Sequence, residues 1–113
     1  MGVWHWSGVA LLGAGLLLSL PSLAAEDPSF PITIRDHRFE PAELQVPAGV
    51  KVKLVIRNAD PTPEEFESRT LHREKVIPGG GETTVFVGPL SAGTYEFFGD
   101  FNPKTAQGRL IAK

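Results

Sequence analysis

Four side chains in the middle of the chain have the types and spacing that could bind a metal ion. Glu65 and Glu67 are two residues apart, so in an extended segment both carboxylates point to the same side. His72 and Glu74 have the same spacing, and a hairpin connection at residues 68–71 would bring His72 close to Glu67. Three carboxylates with one imidazole suit iron in either oxidation state or manganese, and would also bind Zn(II) or Cu(II). Because carboxylates favour the harder Fe(III), such a site would ease the oxidation of bound Fe(II).

The same segment can also be interpreted as a solvated surface. Acidic and basic side chains alternate along it, and such runs commonly form cross-strand ion pairs that contribute roughly a few tenths of a kcal/mol each. The side chains concerned are Glu65, Glu67, Arg69, Arg73, Glu74 and Lys75. The residue types alone leave the metal site and the solvated surface both open.

Three further polar residues are candidates with competing roles. Asp100 follows Gly99 at the end of a predicted strand, where it is either a metal ligand or a turn residue that accepts backbone hydrogen bonds. Glu96 is expected on the sheet exterior, as a solvated side chain or as part of a second site. His37 is interpreted as a surface or loop histidine. The predicted metal ligands are Glu65, Glu67, His72, Glu74 and Asp100.

The elements that must position these side chains are short strands. Turn residues recur about every ten residues, and no segment has the periodicity of an amphipathic helix. The pattern predicts an all-β, antiparallel β-sandwich of seven to eight strands. The candidate strands are residues 32–34, 43–46, 50–57, 64–68, 71–77, 83–87, 94–98 and 108–112.

The alternation of apolar residues predicts which side chains fill the core. Val50 and Val52 are expected on the buried face of one strand, together with the next alternate residues, Leu54 and Ile56. Phe66 is expected in the core between the two outward carboxylates. Phe98 is also assigned to the core, whereas Phe101 is left undecided between the core and a docking patch.

The beginning of the chain is predicted to be an export signal. The first charged side chain is Glu26, and an apolar run at residues 9–20 is followed by Pro21 and small residues suited to a cleavage site. We therefore expect a signal peptide at residues 1–25 and one domain at residues 26–113. An uncleaved membrane anchor is the alternative, but the run is short for a span of about 20 residues.

Composition excludes several classes of function. The net charge is −2, and no basic stripe alternates with aromatic residues as in nucleic-acid binders. No nucleophile elbow or phosphate-binding glycine loop is present. The chain has no cysteine, so a small domain of this kind cannot rely on disulfides and must be stabilised by packing or by a bound ligand.

Three stretches, taken in order, resemble the cupredoxin family, and the resemblance implies a Greek-key β-sandwich. They are Phe39-Glu40-Pro41 with residues 44–49, then residues 58–61, then residues 93–98 with residues 108–111. Under this resemblance, Glu64 and Glu65 stand at the position of the first copper histidine and Gly99 at that of the cysteine. A blue-copper centre needs a thiolate, so electron transfer through type 1 copper is excluded, whereas copper at a non-blue site is not.

A narrower resemblance is to the EfeO-type cupredoxin-like domain and its FtrB-like single-domain relatives of bacterial ferrous-iron uptake. The matching residues are Glu65-Phe66-Glu67, Glu74, Pro78-Gly79, Gly93-Thr94-Tyr95, Asn102-Pro103-Lys104 and Gly108. The resemblance implies a periplasmic protein that binds iron, as Fe(II), and handles or oxidises it. Its partners would be an iron permease and other periplasmic uptake components.

Two alternatives belong to other classes of function. The chain could be a metal-free periplasmic adaptor that uses the cupredoxin scaffold only for docking. It could also be a periplasmic copper carrier that uses His37 and His72 as ligands.

Overall fold

The computed structural model describes residues 26–113, and these residues form strands without any helix. The nine strands are β1 (Ser29–Arg35), β2 (Arg38–Glu40), β3 (Glu43–Val46), β4 (Val52–Asn58), β5 (Glu64–Ser68), β6 (Arg73–Ile77), β7 (Glu82–Val87), β8 (Gly93–Gly99) and β9 (Gln107–Ala112). The predicted signal peptide, residues 1–25, lies outside the described residues. Within residues 26–113, no helix is long and apolar enough to cross a membrane.

The strands form two sheets, which confirms the predicted all-β sandwich. One sheet has the order β2-β1-β4-β7 and the other has the order β3-β9-β8-β5-β6. All eight predicted strands are present, and the short β2 is a ninth that the pattern did not predict. Five of the seven strand pairs are antiparallel as expected, whereas β1 lies parallel to β4 and β3 parallel to β9. Both parallel pairs join strands that are distant in the chain, a pairing that local patterning does not reveal.

The core follows the alternation in β4, with one correction. Val52, Leu54 and Ile56 are almost completely buried. Val50 was assigned to the same face, but it lies before the first residue of β4 and is 43% exposed. The alternation of a strand applies only where the backbone is paired, and the pairing begins at Val52.

Three aromatic rings occupy the middle of the sandwich. Phe66 packs against Phe39 and Phe97, with ring centroids 6.2 and 5.0 Å away, and all three side chains are buried. The prediction that Phe66 is a core residue is confirmed. Phe98 was predicted in the core, but its neighbour Phe97 takes that place. Because Phe98 pairs with Glu67 across the strands, it lies on the face of the sheet that points away from the core.

One end of the sandwich, which we call the loop end, is formed by residues 36–37, 59–63 and 100–106. Asp36 and His37 form the two-residue turn between β1 and β2, with φ angles of 53° and 56°, the left-handed values that a tight hairpin turn requires. The buried carboxylate of Asp60 accepts the backbone N–H groups of Asp36 at 2.7 Å and of His37 at 2.9 Å. These bonds, that of His37 above all, lower the pKa of Asp60.

We expect Asp60→Asn to lower the free energy of unfolding at pH 7 by about 1–3 kcal/mol, because it removes the buried, charged acceptor of two backbone N–H groups. The pKa of Asp60 is lowered in the folded state, so this contribution is present above pH 4 and is lost as the pH falls through the folded-state value. Urea unfolding from pH 7 to pH 3 measures it, with Glu82→Gln as an exposed control. Equal loss of stability on acidification in both variants would contradict this role of Asp60.

Candidate metal centre

Strand β5 sends alternate side chains to opposite faces of its sheet. Phe66 points into the core, whereas Glu65 and Glu67 point to the other side, which we call the outer face. Both carboxylates are half-buried by their neighbours on the sheet. The predicted orientation of these two side chains therefore agrees with the structure.

Asp100 joins Glu65 and Glu67 through the pairing of β5 with β8. One carboxylate oxygen of each residue lies within 4.8 Å of the other two, and we call these three residues the acid cluster. The backbone N–H of Asp100 donates to the carbonyl oxygen of Glu65 at 2.9 Å, which holds Asp100 beside β5 just after β8 ends. Asp100 was alternatively predicted to be a turn residue whose side chain accepts backbone hydrogen bonds, but in residues 26–113 no such bond to its carboxylate is present, and the bond of the turn runs from the N–H of Asn102 to the carbonyl oxygen of Gly99.

Glu74 adds a fourth carboxylate at the edge of the cluster. It lies directly opposite Glu67 in the β5–β6 pair, and it is close enough to the carboxyl group of Glu65 to affect the pKa of that group. Loss of hydration, followed by the charge of Glu74, raises the pKa of Glu65 to about 7. The charges of Asp100 and Glu67 add to this rise. The carboxyl group of Glu65 therefore binds a proton in the neutral pH range. A bound cation would relieve the repulsion between these carboxylates in the same way.

The surface interpretation predicted cross-strand ion pairs among residues 64–75, but in the described part of the chain none of these residues forms an ion pair. The ion pairs of the described chain join Arg35 to Glu40 and Arg109 to Glu43, both at 2.7 Å, and His37 to Asp60 at 3.9 Å. The acid cluster is therefore not neutralised by a neighbouring base.

Two basic residues of the same segment have other partners, although both line the depression that Glu67 and Glu74 also line. Arg73 donates from Nε to the carbonyl oxygen of Phe86 at 2.8 Å, which ties β6 to the other sheet. The guanidinium group of Arg69 lies over the ring of Phe98, 5.2 Å from its centroid. These contacts explain why, within residues 26–113, neither guanidinium group forms an ion pair with the acid cluster.

His72 lies near the cluster but not in it. It ends the four-residue loop between β5 and β6, is exposed, and has a φ angle of 55°. Together with Glu67 and Glu74 it lines an open depression of about 330 Å³. The group of residues whose ligand atoms meet within 4.8 Å in the described chain does not include His72 or Glu74.

The two histidines of the copper-carrier alternative are at opposite ends of the sandwich. The carbonyl oxygen of His37 accepts the hydroxyl of Thr105 at 2.6 Å, which places His37 at the loop end and confirms it as a loop histidine. His72 follows the far end of β5, a strand of five residues and therefore roughly 15 Å long. One ion cannot bind both side chains in this structure.

Glu96 lies on the outer face, as predicted, but its surroundings do not favour a second metal site. It is exposed and lies opposite Arg109 in the β8–β9 pair. Glu96 and Arg109 line a groove of about 570 Å³ together with Arg69 and Phe98. Glu43 also lines this groove and is ion-paired with Arg109 at 2.7 Å, so two guanidinium groups balance two carboxylates there and leave no excess negative charge to attract a cation.

The sequence interpretation did not select Glu64 as a candidate residue, but the structure gives it a central position. Its side chain is only 1% exposed, and Oε1 accepts the backbone N–H groups of Phe101 at 2.9 Å and of Glu65 at 3.0 Å. Oε2 accepts the side-chain amide of Asn102 at 2.7 Å. The signal was present in the sequence, because Glu64 has the same parity as Phe66 in a predicted strand and must point inward with it.

The residues present at the loop end do not fit a blue-copper centre. The chain has no cysteine, and its one methionine is Met1. A Cβ atom at Gly99 would lie 2.6 Å from Cδ and 2.8 Å from Oε2 of Glu64, so the carboxylate fills the space that a side chain at residue 99 would need. The carboxylate of Glu64 is buried at this place and already accepts three hydrogen bonds. It supplies neither the thiolate nor the imidazoles that a blue-copper centre requires.

Two relatives of known sequence share most of the described domain. An uncharacterized protein of Rickettsia prowazekii is 50% identical over 80 residues, which cover 71% of this chain and 64% of the relative. The iron uptake system component EfeO of Yersinia pseudotuberculosis is 35% identical over 89 residues, which cover 70% of this chain and 23% of EfeO. The chain thus spans less than two thirds of the length of either relative.

Solved structures with the same fold include copper proteins. Auracyanin A, a blue copper protein from Chloroflexus aurantiacus, superposes with a TM-score of 0.67 at 15% identity, over 78% of this chain and all of auracyanin. The metal-binding domain of the Cu(I)-exporting P-type ATPase CopA of Streptococcus pneumoniae also has a TM-score of 0.67, at 20% identity, over 81% of this chain and 91% of that domain. At these identities the likeness shows the fold alone. Since the model of the cupredoxin-like domain also matches residues 8–112, the chain belongs to the cupredoxin-like family.

Proposed function

We propose that this protein binds Fe(II) at the acid cluster of Glu65, Glu67 and Asp100 and passes the ion to a membrane iron permease. The observation that carries the proposal is the approach of three carboxylate oxygens to within 4.8 Å with no base paired to them. Oxygen ligands bind small divalent ions at about 2.0–2.6 Å, so two oxygens on one ion lie up to about 5 Å apart. Small side-chain rotations would therefore suffice for binding.

The chemistry of the cluster favours a hard cation. Carboxylate oxygens bind Fe(II), and bind the more highly charged Fe(III) more strongly, so the site would ease oxidation of the bound ion. The neighbouring carboxylate of Glu74, in β6, would be an additional ligand after a side-chain rotation, and the imidazole of His72 would be another after movement of the β5–β6 loop. A ferroxidase role requires that the protein accelerate oxygen uptake with four Fe(II) ions consumed for each O₂ reduced to water.

The setting of the proposed function comes from the similarity to the iron uptake system component EfeO. With the predicted export signal at residues 1–25, it supports a periplasmic location and a permease with its other periplasmic uptake components as partners. Contact with the membrane would occur only through the signal peptide or the permease. The metal-free adaptor and the copper carrier are the competing functions, and metal titrations distinguish them.

We expect the mature domain to bind one Fe(II), or Mn(II) as an air-stable probe, in saturable fashion, and Glu67→Ala to weaken binding by about tenfold or more. Calorimetric titration without oxygen measures the affinity. Glu82→Ala removes an exposed carboxylate of the other sheet and is the matched control, which should bind as the unchanged protein does.

Three results would count against the proposal. Absence of saturable binding of Fe(II), Mn(II) and Cu(II) would leave the adaptor function. Tight Cu(II) binding that is lost only in a His37 variant would favour the copper carrier. Equal weakening in the Glu67 and Glu82 variants would mean that net charge, and not the cluster, attracts the ion.

We also expect metal affinity to rise with pH between pH 6 and pH 8. The pKa of Glu65 is about 7, so below pH 7 the ion must displace a proton, and affinity should fall up to about tenfold per pH unit. Glu74→Gln removes the charge that helps raise this pKa, so the midpoint of the pH dependence should move to lower pH. Titrations at fixed ionic strength measure both curves, and a flat affinity over this range would refute the role of Glu65.

A further inference from the structure

Glu64 connects the beginning of β5 to the connection between β8 and β9. Its carboxylate is nearly completely buried, and within residues 26–113 it has no cationic partner within 4.0 Å. It is instead held by two backbone N–H groups and the amide of Asn102. Hydrogen bonds to a charged acceptor are stronger than neutral ones, so this buried charge has enough partners to remain in place.

The hydrogen bonds of Glu64 reach one member of the acid cluster and the residue that follows another. Oε1 accepts both the N–H of Glu65, itself a cluster member, and the N–H of Phe101, the residue that follows Asp100. The N–H of Asp100 donates to the carbonyl oxygen of Glu65. The peptide groups on both sides of Asp100 are therefore tied to β5, one through the side chain of Glu64 and one through the backbone.

We propose that Glu64 is the positioning residue of the acid cluster, and that it holds Asp100 beside Glu65 and Glu67 without itself touching the ion. This proposal rests on the proposed function, since it assigns the cluster the metal. The carboxylate of Asp100 projects from a loop beyond the last residue of β8, where no strand pairing of its own fixes its direction. The inward carboxylate of one residue thus orients the outward carboxylates of others.

The absence of a side chain at residue 99 is part of this arrangement. A Cβ atom at Gly99 would also lie 2.7 Å from the Cβ of Ala106, so the site is closed on both sides. Only glycine leaves room for the Glu64 carboxylate to reach the Phe101 N–H. Within the described domain, this contact takes the place that a metal ligand at residue 99 would occupy.

The test compares Glu64→Ala with Asp60→Asn in the mature domain. Asp60 is the matched control because it is also a buried carboxylate at the loop end that accepts two backbone N–H groups, but those belong to Asp36 and His37. Both variants should lose stability. Only Glu64→Ala should weaken Mn(II) binding, by about tenfold or more, as loss of an outer-shell partner typically does.

A second measurement does not depend on metal. In the metal-free protein, the backbone amides of Asp100 and Phe101 should exchange with D₂O faster in Glu64→Ala than in the unchanged protein, whereas Asp60→Asn should leave both rates unchanged. Glu64→Gln keeps the side-chain volume and one oxygen acceptor, so it should restore most of the protection at Phe101. It also provides the comparison if the alanine variant does not fold.

The outcomes separate this proposal from the proposed function. Unchanged Mn(II) affinity in a folded Glu64→Ala variant overturns the positioning role, as does unchanged exchange at Phe101 in that variant. A Glu64→Gln variant that keeps the protection at Phe101 but loses Mn(II) affinity also overturns it, because the charge of Glu64 and not its hydrogen bonds would then control binding. If the unchanged protein binds no Mn(II) or Fe(II), the proposed function fails, and the positioning of a metal ligand fails with it. Faster exchange at Asp100 and Phe101 would then leave Glu64 with a purely structural role.

Discussion

The burial of Phe66 between Phe39 and Phe97 is the packing constraint on which the acidic site depends. Once this ring is in the core, the directions of the other side chains in β5 are determined, because successive side chains of a strand point to opposite faces. Glu65 and Glu67 must then lie on the outer face, and Glu64 must point inward. A shift of one residue in β5 would bury two carboxylates and expose the ring, a cost far above the value of any surface contact.

The outer face of β5 has an arrangement that sheets usually avoid. Like charges directly opposite each other are destabilising, and Glu67 faces Glu74 across the β5–β6 pair. The raised pKa of Glu65 reflects its loss of hydration first and then the charges of Glu74, Asp100 and Glu67, so the folded protein holds a proton that the unfolded chain would release. Local rules of stability are commonly broken at functional sites, and a bound cation would convert the repulsion into attraction.

Strand β5 places carboxylates in two different environments, one buried at the loop end and one on the outer face. At the loop end, the Glu64 carboxylate closes the space beside Gly99 with hydrogen bonds, so the fold is completed there by protein groups. On the outer face, hard oxygen donors are collected on a sheet whose position is determined by the core. Relatives by fold include proteins that bind copper, whereas the donors available here favour a harder ion.

The sequence by itself determined the all-β class, the bounds of β3 and β5, and the outward direction of Glu65 and Glu67, because strand alternation is a local property. It also placed Phe66 in the core. Two of its failures were non-local, namely the parallel β1–β4 pair and the partners of Glu64. The assignment of Phe98 to the core was a local error, because alternation along β8 places Phe98 on the same face as Glu96. Only the tertiary structure brought Asp100 to Glu65, which is 35 residues earlier in the chain, because the pairing of β5 with β8 depends on the packing of both sheets. That packing also left the acidic side chains without basic partners, since it directed Arg69 to a ring and Arg73 to a carbonyl group.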